Sequence, residues 1–373
     1  MRQSGTSILV LALLCLASCS SSSSSSSDMA EPGRGESLVF EAKHDFDIDV
    51  PEGAGLLRAW FAVPSDRDPD QEILSFESFA PYPTRQVRDE RGNNFLFMEV
   101  VNPPAGRLEV LERFRLERRE VLATLDPSLT RPHDAEELVE FAADLEGSSQ
   151  SVIDDDVRAM AAAAVGAETN PILVARLLYD AVLERVEYHV KDPKPDAEKT
   201  MQASGTGSSR YTFEKCTGNC TDFHSLYAAL ARSRNLPVRA VYGSFFKGPL
   251  DGVDQDQSYH CWIEFHAPNI GWIPLDVAVA DVFTADFEAN EFSRPRAELT
   301  VADGYDGPDA RLVDYYFGNI DARRVVWHRG RDLVMRDPRQ EGGPLLWNPK
   351  AYVEIDGKPA KVGRKLSYRS VED

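Results

Sequence analysis

The hydrophobic period of this chain changes once, near residue 130, and that change limits the fold more than any other feature. Up to about residue 121 the apolar residues recur at strand spacing. "SLVFEAKHDFDIDV" alternates in part, and "GLLRAWFAVP" is a second apolar run. "RQVRDERGNNFLFMEVV" reads as two strands around a turn at Arg91-Gly92-Asn93, and "GRLEVLERFRLERREVL" continues the pattern. Pro127 and "LTRPHDAEE" mark a boundary. Beyond it "DAEELVEFAADLE", "DDDVRAMAAAAVG" and "NPILVARLLYDAVLERVEYHV" carry helical spacing. Asp134, Asp154 to Asp156 and Asn170 suit helix starts, Pro171 suits a first turn, and Gly166 suits a stop. The chain therefore reads as α+β: a β-sandwich of immunoglobulin-like kind over 37–125, then a second domain over 130–373.

The N-terminus points to export. Met1 and Arg2 precede the apolar run Ile8 to Ala17, which is too short to span a bilayer as a mature helix. The run ends in Leu16-Ala17-Ser18-Cys19, which resembles the bacterial lipobox. That resemblance implies a signal peptide over 1–18 and lipidation at Cys19; the alternative is an ordinary signal peptide cut nearby. Ser20 to Ser27 is unbroken serine, so 19–36 reads as a flexible tether. Ser20 rather than Asp after the cysteine favours, by resemblance to Gram-negative sorting rules, the outer membrane, with the domain in the periplasm or at the cell surface. A net charge of −20 argues against a nucleic-acid partner. Oligomeric state is left open.

With Cys15 in the signal and Cys19 at the anchor, three cysteines remain: Cys216, Cys220 and Cys261. In "KCTGNCTDFHSLYAALARSRNLPVRAVYG", Gly218 permits a tight turn into a helix with Phe223, Leu226 and Leu230 on one face. Cys220 falls in the first turn, where unpaired N–H groups and the positive dipole end favour a thiolate. The strand "SYHCWIEFH" puts His260, Trp262 and Glu264 on one face and Tyr259, Cys261, Ile263 and Phe265 on the other. Cys261 is accordingly read as a small core residue. After a turn at Asn269-Ile270-Gly271, "GWIPLD" is a neighbouring strand that can bring Asp276 to His260, where a carboxylate fixes an imidazole tautomer.

"GNCTDFHSLYAALARSRNLPVRAVYG" followed by "YHCWIEFHAPNIGWIPLD" resembles the core of the transglutaminase-like superfamily, papain-type cysteine enzymes. The shared elements are Gly-x-Cys-x-Asp on a helix, Arg after Leu-Pro, His-x-Trp on a strand and Gly-Trp-x-Pro-x-Asp on the next. "YYFGNIDARRVVWHRGRDL" and "AYVEIDGKP" extend the likeness over about 135–373. The resemblance implies Cys220 as nucleophile, His260 as base and Asp276 as its orienter. It implies a peptide or carboxamide substrate, a thioester intermediate and no cofactor. Hydrolysis is expected over amine transfer; a binding module without turnover is the alternative from another class. The backbone N–H of Cys220 is one expected oxyanion donor, and Tyr188 and Tyr211 are candidates for a second.

Further expectations attach to the neighbours. Asp222 favours the helix start and is expected to pair with Arg239. His224 shares the helical face of Cys220, and with Cys216, His260 and Cys261 it supplies zinc-ligand types, though not at the usual spacing; no metal is expected. "SGTGSS", Ser204 to Ser209, lacks the Lys-Ser/Thr ending of a phosphate loop and reads as a flexible surface loop. "DGVDQDQ", Asp251 to Gln257, lacks the twelfth-position Glu of a calcium hand and reads as a solvated turn. Cys216 is either a plain loop cysteine or a partner that bridges Cys220 transiently.

Overall fold

The computed structural model describes residues 34–253, 258–301, 305–345 and 350–371. The signal, Cys19 and the serine run lie outside the described residues, as does 254–257 of the acidic segment. Two long strands, Arg34–Val50 and Gly106–Leu122, pair antiparallel along most of their length. Along the second, Leu108, Val110, Phe114 and Leu116 are buried while charged residues alternate with them. Val362–Val371 and Gln71–Phe79 flank the pair. A second sheet centres on Leu56–Ala62, between Asn94–Val101 and Ala351–Ile355. Phe46, Ile48, Leu108 and Val110 of the first sheet meet Leu57, Phe61, Met98 and Val353 of the second in one core, so the sheets form a sandwich. The expected hairpin joins Thr84–Arg88 to Asn94–Val101. Its turn is set by Gly92 at φ +81° and by Asp89, whose carboxylate accepts the Arg91 and Asn93 N–H groups at 2.9 Å each.

The boundary drawn from the sequence needs one correction. The last strands, within 351–371, do not stay with the second domain but return to both sheets of the sandwich. Without them Arg34–Val50 and Leu56–Ala62 would each present an open backbone edge. Gln71–Phe79 is a strand that hydrophobic spacing does not predict, because most of its residues are exposed or only partly buried.

The helical part starts where expected. Asp134 forms a capping box with Glu137, Asp154 caps Asp155–Val165, and Asn170 caps Pro171–Arg185. A four-stranded antiparallel sheet runs Gly271–Leu275, Tyr259–Ala267, Val238–Phe245, Arg324–Arg329. The helix Cys220–Arg232 packs on it and is buried at all its positions, enclosed on the other side by Pro171–Arg185 and Asp155–Val165. On the opposite face of the sheet Trp262 packs with Val241 and Val326. Gly243 has to be glycine there: a Cβ would stand 2.4 Å from the Val325 carbonyl and 2.6 Å from the Trp262 ring.

The strand Arg324–Arg329 is the seam between sandwich and core. The Gln71 side chain donates to the Val326 carbonyl at 2.9 Å and accepts its N–H at 2.8 Å, as a neighbouring strand would. Arg118 donates to the Arg324 carbonyl at 2.7 Å and to Asp68 at 2.8 Å. Arg329 joins Asp68 to Glu264. These buried charges all have partners, as burial demands.

Candidate active site

Cys220 is the first residue of its helix, which is why its position is fixed so tightly. Asn219 caps the helix by accepting from Thr221 and Asp222, and Asp222 reaches back to the Asn219 N–H at 3.0 Å. The returning Asp222 side chain explains the glycine two residues before the cysteine: a Cβ on Gly218 would stand 2.4 Å from Asp222 Cβ. Asp222 does not pair with Arg239 as expected. Its carboxylate instead accepts the Ser204 and Ser208 N–H groups at 3.0 and 2.9 Å and the Ser204 hydroxyl. The segment read as a flexible surface loop is thus tied to the helix start. Arg239 pairs with Glu264 and lies 4.0 Å from the Trp272 ring centre.

His260 and Asp276 arrive from adjacent strands. Tyr259–Ala267 and Gly271–Leu275 pair with Ile263 opposite Leu275, which places Asp276 just beyond the sheet, toward the start of the first strand. His260 Nε2 donates to Asp276 Oδ2 at 2.6 Å. That assignment leaves Nδ1 for Cys220, with which His260 shares a side-chain hydrogen bond. All three residues are buried, Cys220 at 4 % exposure, His260 at 3 % and Asp276 at 0 %.

Asp276 holds more than the imidazole. Its Oδ1 accepts the Val279 N–H at 3.0 Å, making it the N-cap of Val277–Val282. Its Oδ2 also takes Arg324 Nη1 at 2.5 Å. Arg324 is fully buried, 3.7 Å from the Phe245 ring centre, with its Nε on Asp321 at 2.9 Å. His224 Nε2 stands 3.5 Å from Asp276 Oδ1. Burial opposes the charge on Asp276, but His260 and Arg324 outweigh it and hold the carboxyl well below its usual range. Burial likewise opposes the His260 cation, yet Asp276 and the Cys220 thiolate raise its pKa. Cys220 is pulled well below an ordinary thiol by a hydrogen bond from Cys261, against burial, and then by the His260 charge.

The two tyrosine candidates separate. Tyr188 Oη accepts the Cys220 N–H at 3.2 Å, so it stands where an oxyanion bound by that N–H would sit. Burial and the nearby thiolate push its pKa well up, which keeps its proton available for donation. Its backbone N–H is fixed on buried Asp281 at 2.8 Å. Tyr211 donates instead to the Gln202 carbonyl at 3.0 Å.

Three features escaped the sequence reading. Arg324 carries no local signal among the charged residues of "DARRVVWH". Cys261 lies in the core as expected, but its sulfur touches both the Cys220 thiol and His224 Nδ1, the latter at 3.6 Å. Cys216 ends the helix Ser209–Lys215 at φ +54°, its thiol on the Phe213 carbonyl at 3.9 Å. All three cysteines are free. Among the described residues, no three His, Cys, Asp or Glu side chains are grouped to hold a metal ion.

Residues 158–277, which span the helix, both strands and Asp276, match the family model of the transglutaminase-like superfamily. This chain carries a transglutaminase-like core. It is 24 % identical over 347 residues to an uncharacterized protein of Haemophilus influenzae, covering 87 % of this chain and 88 % of that one. The fold is similar to the crystal structure of a presumptive cysteine protease from Cytophaga hutchinsonii, at 15 % identity and TM-score 0.54, over 91 % of this chain and 93 % of that one. The periplasmic domain of TgpA from Pseudomonas aeruginosa aligns at TM-score 0.33 and 15 % identity, over 69 % and 92 % of the two chains. The α+β protein joins this transglutaminase-like core to a β-sandwich of N-terminal strands completed by those of 351–371.

Proposed function

We propose that this protein is a cysteine hydrolase of peptide or carboxamide bonds, working through a thioester on Cys220. The observation that carries the reading is one buried line: Cys220 at a helix N-terminus, His260 against it, and Asp276 on the far imidazole nitrogen at 2.6 Å. In the resting site the proton of the thiol lies on His260 and the thiolate attacks the substrate carbonyl. The carbonyl oxygen takes over the Cys220 N–H from Tyr188, whose hydroxyl becomes the second donor. His260 gives its Nδ1 proton to the departing amine, and the acyl group stays on sulfur. Water then attacks the thioester, His260 takes a proton from it, and the acid leaves as the thiolate returns. Asp276, locked by Arg324 and the Val279 N–H, keeps Nδ1 facing sulfur throughout.

Both fates of the thioester share this chemistry, so the test is competition. An accepted peptide is supplied with a labelled primary amine in excess. Free acid as the main product supports the hydrolase; amine adduct as the main product makes the protein a transglutaminase in the strict sense.

The same reading places the enzyme in the cell envelope, held by acyl chains on Cys19. It is supported by Leu16-Ala17-Ser18-Cys19 after a short apolar run. Among the described residues no helix is long and apolar enough to cross a membrane. Cys19→Ala should abolish incorporation of labelled fatty acid, and labelling that persists would remove the anchor from the account.

A further inference from the structure

The site holds a second thiol with an imidazole of its own. Cys261 shares a side-chain hydrogen bond with Cys220, and its Sγ lies 3.6 Å from His224 Nδ1. His224 in turn approaches Asp276 Oδ1 at 3.5 Å, while His260 occupies Oδ2. One carboxylate therefore backs two cysteine–imidazole pairs, Cys220 with His260 and Cys261 with His224. The hydrolytic cycle uses only the first pair. Cys261 and His224 are both buried, at 1 % and 2 % exposure, so neither is a surface residue that met the site by chance.

We propose that Cys261 is the resolving thiol of Cys220, so that attack by a hydroperoxide ends in a Cys220–Cys261 disulfide that a dithiol can reverse. The proposal rests on the reading of Cys220 as a reactive thiolate. In the first step the Cys220 sulfur takes the outer oxygen of the peroxide; the O–O bond breaks, and the alcohol or water leaves with a proton from His260. Cys220 is then a sulfenic acid. In the second step the Cys261 S–H proton passes to His224 Nδ1 and the Cys261 sulfur attacks the Cys220 sulfur. The S–O bond breaks, and hydroxide leaves as water with that proton. Two thiols and one hydroperoxide give one disulfide, one alcohol and one water. A dithiol restores both thiols by exchange and carries away the oxidation. The two thiols are hydrogen-bonded neighbours, and the disulfide requires their sulfurs to close to about 2.05 Å.

The neighbour four residues upstream has a different setting. The Cys216 thiol rests on the Phe213 carbonyl, in a left-handed C-cap at φ +54°. The thiol that hydrogen-bonds Cys220 is the one distant in sequence, Cys261.

The test is peptide mapping by mass spectrometry after a limited dose of hydrogen peroxide. It uses the full chain, Cys261→Ser and Cys216→Ser, each first checked for native circular dichroism. The parent and Cys216→Ser should lose two hydrogens, yield a linked peptide of Cys220 with Cys261, and regain full alkylation of Cys220 after dithiothreitol. Cys261→Ser should instead gain two or three oxygens on Cys220 and stay unreactive after dithiothreitol. A Cys216–Cys220 link, or over-oxidation of Cys220 in the parent at the rate of Cys261→Ser, overturns the proposal. Loss of the hydrolase reading looks different: Cys220 would then resist a haloacetamide even in the untreated parent.

Discussion

Replacing Asp276 with asparagine tests how the site is built, because the carboxylate serves donors on both of its oxygens. Oδ2 accepts from His260 Nε2 at 2.6 Å and Arg324 Nη1 at 2.5 Å, and Oδ1 accepts the Val279 N–H at 3.0 Å. An asparagine offers one acceptor oxygen. If that oxygen faces His260 and Arg324, the amide NH₂ points at the Val279 N–H. If it faces Val279, the NH₂ points at two donors, and the imidazole can bond only by carrying its proton on Nδ1, the nitrogen needed by the thiol. Either way Arg324, with no exposed surface, keeps its charge with Asp321 alone. Breaking a buried charge pair costs about 3–5 kcal/mol. The wrong imidazole tautomer lowers kcat by about 10⁴-fold. Asp276→Asn should therefore unfold at lower urea by about 3–5 kcal/mol and lose nearly all turnover, with native circular dichroism retained. Arg324→Met in the same chain should recover part of the stability and none of the rate, because it removes the stranded charge and not the tautomer fault. A variant within about 1 kcal/mol of the parent, or one with a tenth of its rate, refutes this account of Asp276.

Tyr188→Phe should lower kcat by about 10²-fold with little change in KM, since the hydroxyl bonds the oxyanion and not the ground state; a pure KM effect would assign Tyr188 to substrate binding. Gly218→Ala should depress both stability and alkylation of Cys220, because its methyl would collide with Asp222 and displace the helix cap; unchanged alkylation kinetics would show that the cap does not position the thiol. Asp281 titrates near 6, raised by burial against Lys191 and the Tyr188 N–H. An acid whose folded pKa lies above its unfolded value loses stability as pH rises between the two, here from about 4 to about 6. Asp281→Asn should therefore gain on the parent by about 3 kcal/mol between pH 4 and pH 7 in urea titrations, and a constant difference would show that Asp281 titrates normally.

What could be read in the sequence was what local spacing encodes. Asp134, Asp154 and Asn170 cap the helices they were expected to cap, since a cap needs only its own first turn. Cys220 falls in a first turn, and strand register brings His260 to Asp276 because the two strands are joined by a short turn. The pairings that failed or went unseen depend on chain returning from far away. Arg324 lies 48 residues beyond the carboxylate it holds. The edges of the sandwich are closed by strands more than two hundred residues later. Asp222 found the Ser204–Ser208 loop rather than Arg239 because that loop lies over the helix start, while Arg239 faces Glu264 directly across two strands. Strand alternation gave the direction of Cys261, but not that Cys220 and His224 of the covering helix would lie against it.

The account stands on Cys220 becoming acylated with the help of His260. The most direct measurement is the pH dependence of Cys220 modification by a peptidyl electrophile, followed by intact mass and peptide mapping in the parent, Cys220→Ala and His260→Ala. The Cys261 hydrogen bond and then the His260 cation favour the thiolate, so removing His260 must move the inflection upward. The predicted result is a single adduct on Cys220 in the parent, formed well below the pH at which ordinary thiols react. The adduct should be absent from Cys220→Ala, and in His260→Ala its inflection should move toward the normal thiol range near 8.5. A parent whose Cys220 reacts only at that ordinary pH, or whose adduct falls on another residue, would contradict it.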